Sequence, residues 1–251
     1  MNNHKEAMPH QFHAMSNKTL GDYFVGDGNS SVPEALEMLA RNLNGSCTPI
    51  VLLGDDQTGK THLAHAFAHL VEESKPGVAI AAMNAQKLGD SPTREWRKGF
   101  RRAVLESDLL ILEDAHLIGH SRSLLRRFLW ALGKRAEADL PVFLTCNPEH
   151  EGGASLVEEV KNRFQKTLTI ALERPSFPDL CEILRKKARR YDVSLAEDLI
   201  HLLVAWSGKD IVEMESNLIR MNAMARLLDV KPDLEMLQEF LASNLAERLS
   251  S

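Results

Sequence analysis

The sequence predicts an α/β fold, a parallel five-stranded sheet flanked by helices, followed by a small all-α domain. Three observations predict it. Short apolar runs alternate with helical stretches as far as residue 172, and strands joined through helical crossovers lie parallel. A complete phosphate-loop pattern stands between the first apolar run and the helix after it. Beyond residue 172 every periodic segment is helical.

The elements follow in chain order. Residues 1–18 lack apolar periodicity and are expected to form a flexible arm. Over 32–43, Ala35, Leu36, Leu39, Ala40 and Leu43 recur at helical spacing, with Pro33 in the favoured first turn. Pro49 to Leu53 is the first buried strand. A polar loop over 54–59 and a helix over 62–71 follow. The second strand spans 78–83, a basic helix 93–106, and the third strand 109–112. A helix over 124–136 leads to the fourth strand at 142–145, and residues 168–172 form the fifth. Glu173 to Pro178 has the composition of a linker. Helices are then expected over 179–191, 195–206, 210–228 and 233–247. The expected domains are therefore 19–172 and 173–251.

Composition sets outer limits. Of 251 residues, 44% are hydrophobic and 26% charged, which excludes low-complexity disorder and allows a sizeable core. The formal net charge of -5 argues against a general polyanion binder, so any nucleic-acid contact must come from a local patch. No run approaches the roughly 20 apolar residues of a membrane span. The N-terminus has no signal-peptide core, and Cys47, Cys146 and Cys181 are scattered and odd in number. A reducing cytoplasm is the expected compartment, with no membrane partner.

Gly54-Asp55-Asp56-Gln57-Thr58-Gly59-Lys60-Thr61 fits G-x-x-x-x-G-K-[ST] in full. Such a loop turns backbone N–H groups toward phosphate oxygens. Lys60 is expected on the β- and γ-phosphates, and the Thr61 hydroxyl on Mg²⁺. The following helix, opened by His62, points its positive end at the phosphates. ATP or ADP with Mg²⁺ is the expected cofactor. The third strand ends in Glu113 and Asp114. One of the two is expected to hold Mg²⁺ and the other to polarise attacking water. Their order, Glu first, leaves the assignment open. Asn147, after the fourth strand, is either a contact to the γ-phosphate or the turn residue of an Asn-Pro pair. Arg163 has the chemistry to stabilise charge on a transferring phosphoryl group, which can add about 10³–10⁵ in rate. A lone exposed arginine is otherwise a solvated charge.

The order of these features resembles the AAA+ P-loop NTPases, and the detail narrows to the DnaA/Hda-like family. Thr19 to Asn29 is similar to the "TFDNFVVGPSN" entry segment of bacterial initiators. Leu184 to Ala188 resembles "ILRKKA", and Glu213-Met214-Glu215 with Leu218-Ile219-Arg220 resembles the lid helix "RELEGALIR". The resemblance covers about 19–242. It implies that Phe24, Val25 and Gly26 lie against the adenine, and that Arg163 is an arginine finger acting in trans. The chain ends just after the lid, so the initiator's helix-turn-helix DNA-binding domain is expected to be absent. Short members of this kind, bound to nucleotide and to the sliding clamp, stimulate ATP hydrolysis on DnaA. DnaA, self-association and the clamp are thus the implied partners.

Two positions depart from the family pattern. The sensor arginine of the lid helix is replaced by Val212, with Lys209 one turn earlier as a conceivable substitute. This weakens the case for ATP hydrolysis by the chain itself. The clamp-binding peptide is matched only by Gln11-Phe12-His13-Ala14-Met15.

Arg94, Arg97, Lys98, Arg101 and Arg102 fall broadly on one side of a helix. They track single-stranded DNA or form a solvated face, with Trp96 stacking on a base or packing inward. Arg185 to Arg190 is a second basic run, expected to be solvated. His62, His65 and His69 share a helical face without an acidic partner in sequence, and Met214, Met221 and Met224 are expected as packing residues. The leading reading is a nucleotide-binding regulator of bacterial replication initiation. The alternatives are a helicase loader or DNA-remodelling adaptor, and a nucleotide-bound scaffold without turnover.

Overall fold

Five apolar runs pair edge to edge in the computed structural model, which describes residues 18–43, 49–88, 94–164, 166–208 and 210–237, with 87–88 and 94–97 by backbone alone. The strands are β1 (Ile50–Leu53), β2 (Ile80–Asn84), β3 (Leu109–Glu113), β4 (Val142–Cys146) and β5 (Leu168–Ala171). All pairs are parallel, in the order β2-β3-β4-β1-β5. Val51 lies opposite Leu144 on one side and Thr169 on the other, which places β1 between β4 and β5. The loop leaving β1 therefore opens at the carboxyl ends of the strands, where ligands of open α/β sheets bind.

Alternation with period two sends successive strand residues to opposite faces. Leu52, Ile111 and Phe143 pack on one face against α1 (Val32–Arg41) and α2 (Lys60–Ser74), through Leu36, Leu63 and Phe67. The Phe67 and Phe143 rings stack with centroids 4.7 Å apart. Val51, Leu110, Leu112 and Leu144 meet the other layer, α3 (Arg94–Glu106), α4 (Arg122–Glu137) and α5 (Gly153–Arg163). Both faces are covered, as parallel sheets require.

The sequence reading assigns no helix between the fourth and fifth strands, and α5 corrects it. Leu156, Val157 and Val160 carry its buried stripe at helical spacing, and Phe164 follows it into the same core. Gly152 and Gly153 mask the start. A Cβ on Gly153 would stand 2.1 Å from the Asn147 carbonyl oxygen, so only glycine lets α5 approach the end of β4.

The chain divides into two compact units between Arg174 and Pro175. The second contains α6 (Phe177–Arg190), α7 (Glu197–Trp206) and α8 (Ile211–Leu228). Leu184, Leu203, Met214, Leu218 and Met221 form its core, with Met224 packed against it. Phe177 and Pro178, expected in a linker, belong to α6. Ser176 and Asp179 cap that helix reciprocally, and Pro178 sits in a first turn that needs no N–H from it. No helix among the described residues is long and apolar enough to cross a membrane. The arm through residue 17 with Gln11, Cys47, Lys209, residues 238–247 of the last expected helix, and the side chains of Arg94, Trp96 and Arg97 lie outside the described residues.

One buried cation joins three elements of the first unit. Arg135 on α4 is 1% exposed. Its guanidinium donates to the carbonyls of Val104 (2.8 Å), Ser107 (3.1 Å), Asp108 (3.1 Å) and Pro141 (2.9 Å), and to Ser107 Oγ (3.0 Å). It thereby ties the end of α3 to the starts of β3 and β4. Burial pushes its pKa down to about 10, which still leaves it charged at neutral pH. Arg135→Met is expected to lower stability in urea denaturation by about 3 kcal/mol, because several buried carbonyls lose their donors. Arg135→Lys should recover only part, since a point charge cannot reach all of them.

Candidate functional site

The phosphate loop leaves β1 at Gly54, and α2 begins at Lys60. A Cβ on Gly54 would lie 2.5 Å from Thr58 Oγ1, while its N–H donates to the Cys146 carbonyl at 3.2 Å. Gln57 (φ 65°) and Gly59 (φ 90°) take left-handed backbone, which curls the loop back on itself. Thr58 Oγ1 closes the curl by donating to the Asp55 carbonyl at 2.9 Å. Lys60 is 7% exposed and donates from Nζ to the carbonyls of Gly54 (2.8 Å) and Asp55 (2.6 Å). Burial lowers its pKa, against the charges of Asp56, Asp114 and Asp55. Asp56 Oδ1 accepts from Asn147 Nδ2 at 3.0 Å, and Asp55 Oδ2 from Arg174 Nε at 2.7 Å.

Thr61 and His62 form the first turn of α2, and His62 Nε2 donates to the Thr19 carbonyl at 2.8 Å. That bond brings in the entry segment. Tyr23 is the residue of this segment that meets the loop. Its hydroxyl donates to the Thr58 carbonyl at 3.4 Å, and its ring lies where a Cβ on Gly59 would come within 2.8 Å. Of the three residues expected near the base, Phe24 is half-buried, Val25 is 41% exposed, and Gly26 precedes a short turn over Asp27–Asn29. Asn29 then grips Glu173 past the end of β5, donating to its carbonyl (3.2 Å) and accepting from its N–H (3.0 Å).

The two carboxylates at the end of β3 part company. Glu113 turns to the α2 face, where Oε1 lies 4.0 Å from His65 Nε2. His65 follows Thr61 by one turn, so Glu113 and Thr61 share that side of the helix. Asp114 takes left-handed backbone (φ 53°) at the strand tips. Its N–H donates to Thr145 Oγ1 at 2.9 Å, and its Oδ2 accepts from Asn84 Nδ2 at 3.0 Å. Asn147 is buried and is the turn residue of its Asn-Pro pair. Its Oδ1 accepts from the Glu149 N–H at 3.0 Å and caps the turn, while Nδ2 crosses to the loop. Its own N–H donates to His116 Nδ1 at 3.2 Å, which requires a neutral His116 ring, as burial favours.

Arg163 is not brought to this cluster. It ends α5 exposed, with Nε against Gly133 of α4, and its side chain makes no hydrogen bond or ion pair among the described residues. Val212, in the first turn of α8, is 71% exposed. Lys98 and Arg101 on α3 are exposed, whereas Arg102 pairs with Glu106 at 2.8 Å. The second basic run is partly internal to its unit: Arg185 pairs with Glu182 and Glu197, and Lys187 with Glu215.

Sequence reasoning misses Tyr23, Asn84, His116, Thr145 and Arg174. Thr145 was detectable as a polar residue within an apolar strand, and Tyr23 as an aromatic residue within the entry segment. Asn84 and Arg174 carry no local signal, because their partners lie 30 and 119 residues away.

Residues 15–171 match the family model described as the bacterial DnaA ATPase domain. The chain belongs to that family. The chromosomal replication initiator DnaA of Corynebacterium jeikeium is 26% identical over 215 residues, 84% of this chain and 37% of that protein. That of Methylobacillus flagellatus is 25% identical over 231 residues, covering 90% of this chain and 49% of its own. The chain thus spans about half or less of the length of these curated relatives. Domain III of Thermotoga maritima DnaA shares the fold, with a TM-score of 0.77 at 18% identity over 93% of this chain and 98% of that one. The sheet order and helical layers are those of the AAA+ fold.

Two outcomes are expected from this geometry. Gly59→Ala should destabilise the chain by about 1–2 kcal/mol in chemical denaturation, through left-handed strain and collision with Tyr23. Tyr23→Ala in the same chain should relieve the collision alone. Burial holds the His65 pKa down at about 4, against an ordinary value of 6.5. The unfolded chain therefore takes up the proton first. Stability present above pH 6.5 should be lost as pH falls through about 4, and His65→Leu should flatten urea midpoints across that window.

Proposed function

We propose that this chain is a nucleotide-binding regulator of bacterial replication initiation, acting through nucleotide-dependent protein–protein assembly. The observation that carries the reading is the contrast between two cations. Lys60 is buried within a complete phosphate loop, while the Arg163 side chain is exposed and makes no hydrogen bond or ion pair among the described residues.

The loop supports ATP or ADP as ligand. Its glycines leave no room for a Cβ, and Lys60 Nζ rests on backbone carbonyls rather than a carboxylate, so a phosphate can take its place there. The backbone of Gly54 to Thr61 and Lys60 would hold the phosphates, with His62 opening the helix behind them. Thr61 with Glu113 and Asp114 supplies the hard oxygen donors that suit Mg²⁺. Bound Mg²⁺ would neutralise phosphate charge. In this reading Asp114, at the strand tips, and Asn147 orient the attacking water and the terminal phosphate. Tyr23 fixes the entry segment, so that Phe24, Val25 and Gly26 approach the base. Arg163 acts on a nucleotide held by a neighbour, either DnaA or a second copy. Val212 stands where the family pattern has a sensor arginine, which fits weak turnover by the chain alone.

A second reading has its own observation. Lys98 and Arg101 project from α3, and a solved replication initiator DnaA bound to AMPPCP and single-stranded DNA has this fold, at TM-score 0.69 and 21% identity. A loader or remodelling adaptor would bind single strands along α3, and that binding would fall steeply with salt.

Lys60→Ala is expected to weaken nucleotide binding by about a hundredfold, read by calorimetry. Arg163→Ala should keep full nucleotide binding yet lose stimulation of DnaA ATPase, by up to about 10³-fold, in an assay with the sliding clamp on DNA. Unchanged stimulation would overturn the finger assignment. Nucleotide-dependent, salt-sensitive binding of an oligothymidylate, reduced by Arg101→Ala, would favour the second reading.

A further inference from the structure

We infer that Arg174 is a positioning residue of the phosphate site, whose guanidinium cancels the charge of Asp55 so that the loop can accept a polyphosphate. This rests on the nucleotide reading of the loop.

A phosphate loop attracts its ligand through backbone N–H groups and a lysine, so a carboxylate within it opposes binding. This loop carries two in succession, Asp55 and Asp56. They are handled differently. Asp56 accepts from the neutral amide of Asn147, which orients the carboxylate without cancelling its charge. Asp55 meets a full positive charge, Arg174 Nε at 2.7 Å.

The same residue shows what Arg174 prevents. Lys60 Nζ bonds the backbone carbonyl of Asp55 at 2.6 Å, so it lies beside that residue while its carboxylate is held by Arg174. Without Arg174, the full charge of Asp55 joins those of Asp56 and Asp114 in holding the Lys60 ammonium. An ammonium captured by a carboxylate is a poorer phosphate donor. Arg174 thus leaves the Lys60 charge for the ligand.

The pair is built rather than incidental. Leu172 N–H donates to the Leu53 carbonyl at 2.7 Å, at the point where the loop leaves β1. A Cβ on Gly54 would lie 3.1 Å from that of Leu172. Glu173 is gripped by Asn29 through both backbone groups. The chain path is therefore fixed up to the residue before Arg174. The Arg174 side chain is 69% exposed and that of Asp55 30%, so the pair adds little to folding and its effect falls on ligand affinity.

The test is a double-mutant cycle read by calorimetry with MgATP and MgADP, on the full chain, Arg174→Ala, Asp55→Asn and the double variant. Arg174→Ala should weaken binding about tenfold, the equilibrium change carried by 1.4 kcal/mol. Asp55→Asn should bind at least as tightly as the unaltered chain. The double variant should return to the Asp55→Asn affinity, and Arg174→Lys should retain most of the original. Thermal midpoints should hardly move across the set, which separates a charge effect from damage to the fold. No loss in Arg174→Ala overturns the inference. So does a loss that persists undiminished beside Asp55→Asn, which would place Arg174 on the phosphates themselves. Failure of the underlying reading looks different. In that case the unaltered chain takes no nucleotide, or Lys60→Ala binds it equally well, and the inference falls with it.

Discussion

Lys60 brings a positive charge into a position only 7% exposed, and much of the surrounding structure answers to that fact. A buried ammonium needs acceptors, and the loop supplies its own carbonyls from Gly54 and Asp55. Gln57 and Gly59, in left-handed backbone, curl the loop back so that Lys60 meets those carbonyls. Gly59 in turn leaves the space that the Tyr23 ring fills, which draws the entry segment onto the loop. Asn29 carries the same segment on to Glu173. The geometry of one cation thus organises chain from residue 19 to residue 174.

The sheet sets the other half of the site. Period-two alternation places Glu113 on the face of Leu109 and Ile111, which belongs to α2. Regular strand geometry would carry Asp114 to the opposite face. Its left-handed backbone lifts it to the strand tips instead, where Asn84 from β2 and Thr145 from β4 hold it. Two adjacent carboxylates with similar chemistry so acquire different surroundings. Glu113 lies against a histidine kept neutral by burial, and Asp114 contributes charge to Lys60. The sequence contains the pair but not this divergence, which depends on neighbours far along the chain.

That distinction runs through the whole molecule. The five strands, the phosphate loop and the helical second unit were legible because each is written locally, in apolar runs, glycine spacing and helical periodicity. The helix α5 was equally legible in Leu156, Val157 and Val160, but two glycines at its start obscure it. Phe177 and Pro178 resemble a linker until the Ser176–Asp179 capping box is recognised. Arg135 was not legible at all. Nothing near it distinguishes a buried guanidinium from the solvated arginines on the same helix, because its acceptors come from α3, β3 and the turn before β4. Arg174 is hidden for the same reason.

The placement of cations bears on what family membership leaves open. A match to the DnaA ATPase domain accounts for Lys60 and the loop around it. It does not by itself explain two aspartates in that loop, or an exposed valine at the head of α8. A loop with added negative charge needs added positive charge nearby. Arg163 is not among the groups around the loop. Arg174, set by β5 and Asn29, is a second cation placed on the loop beside Lys60. The charge of Asp55 is thus balanced from within the first unit.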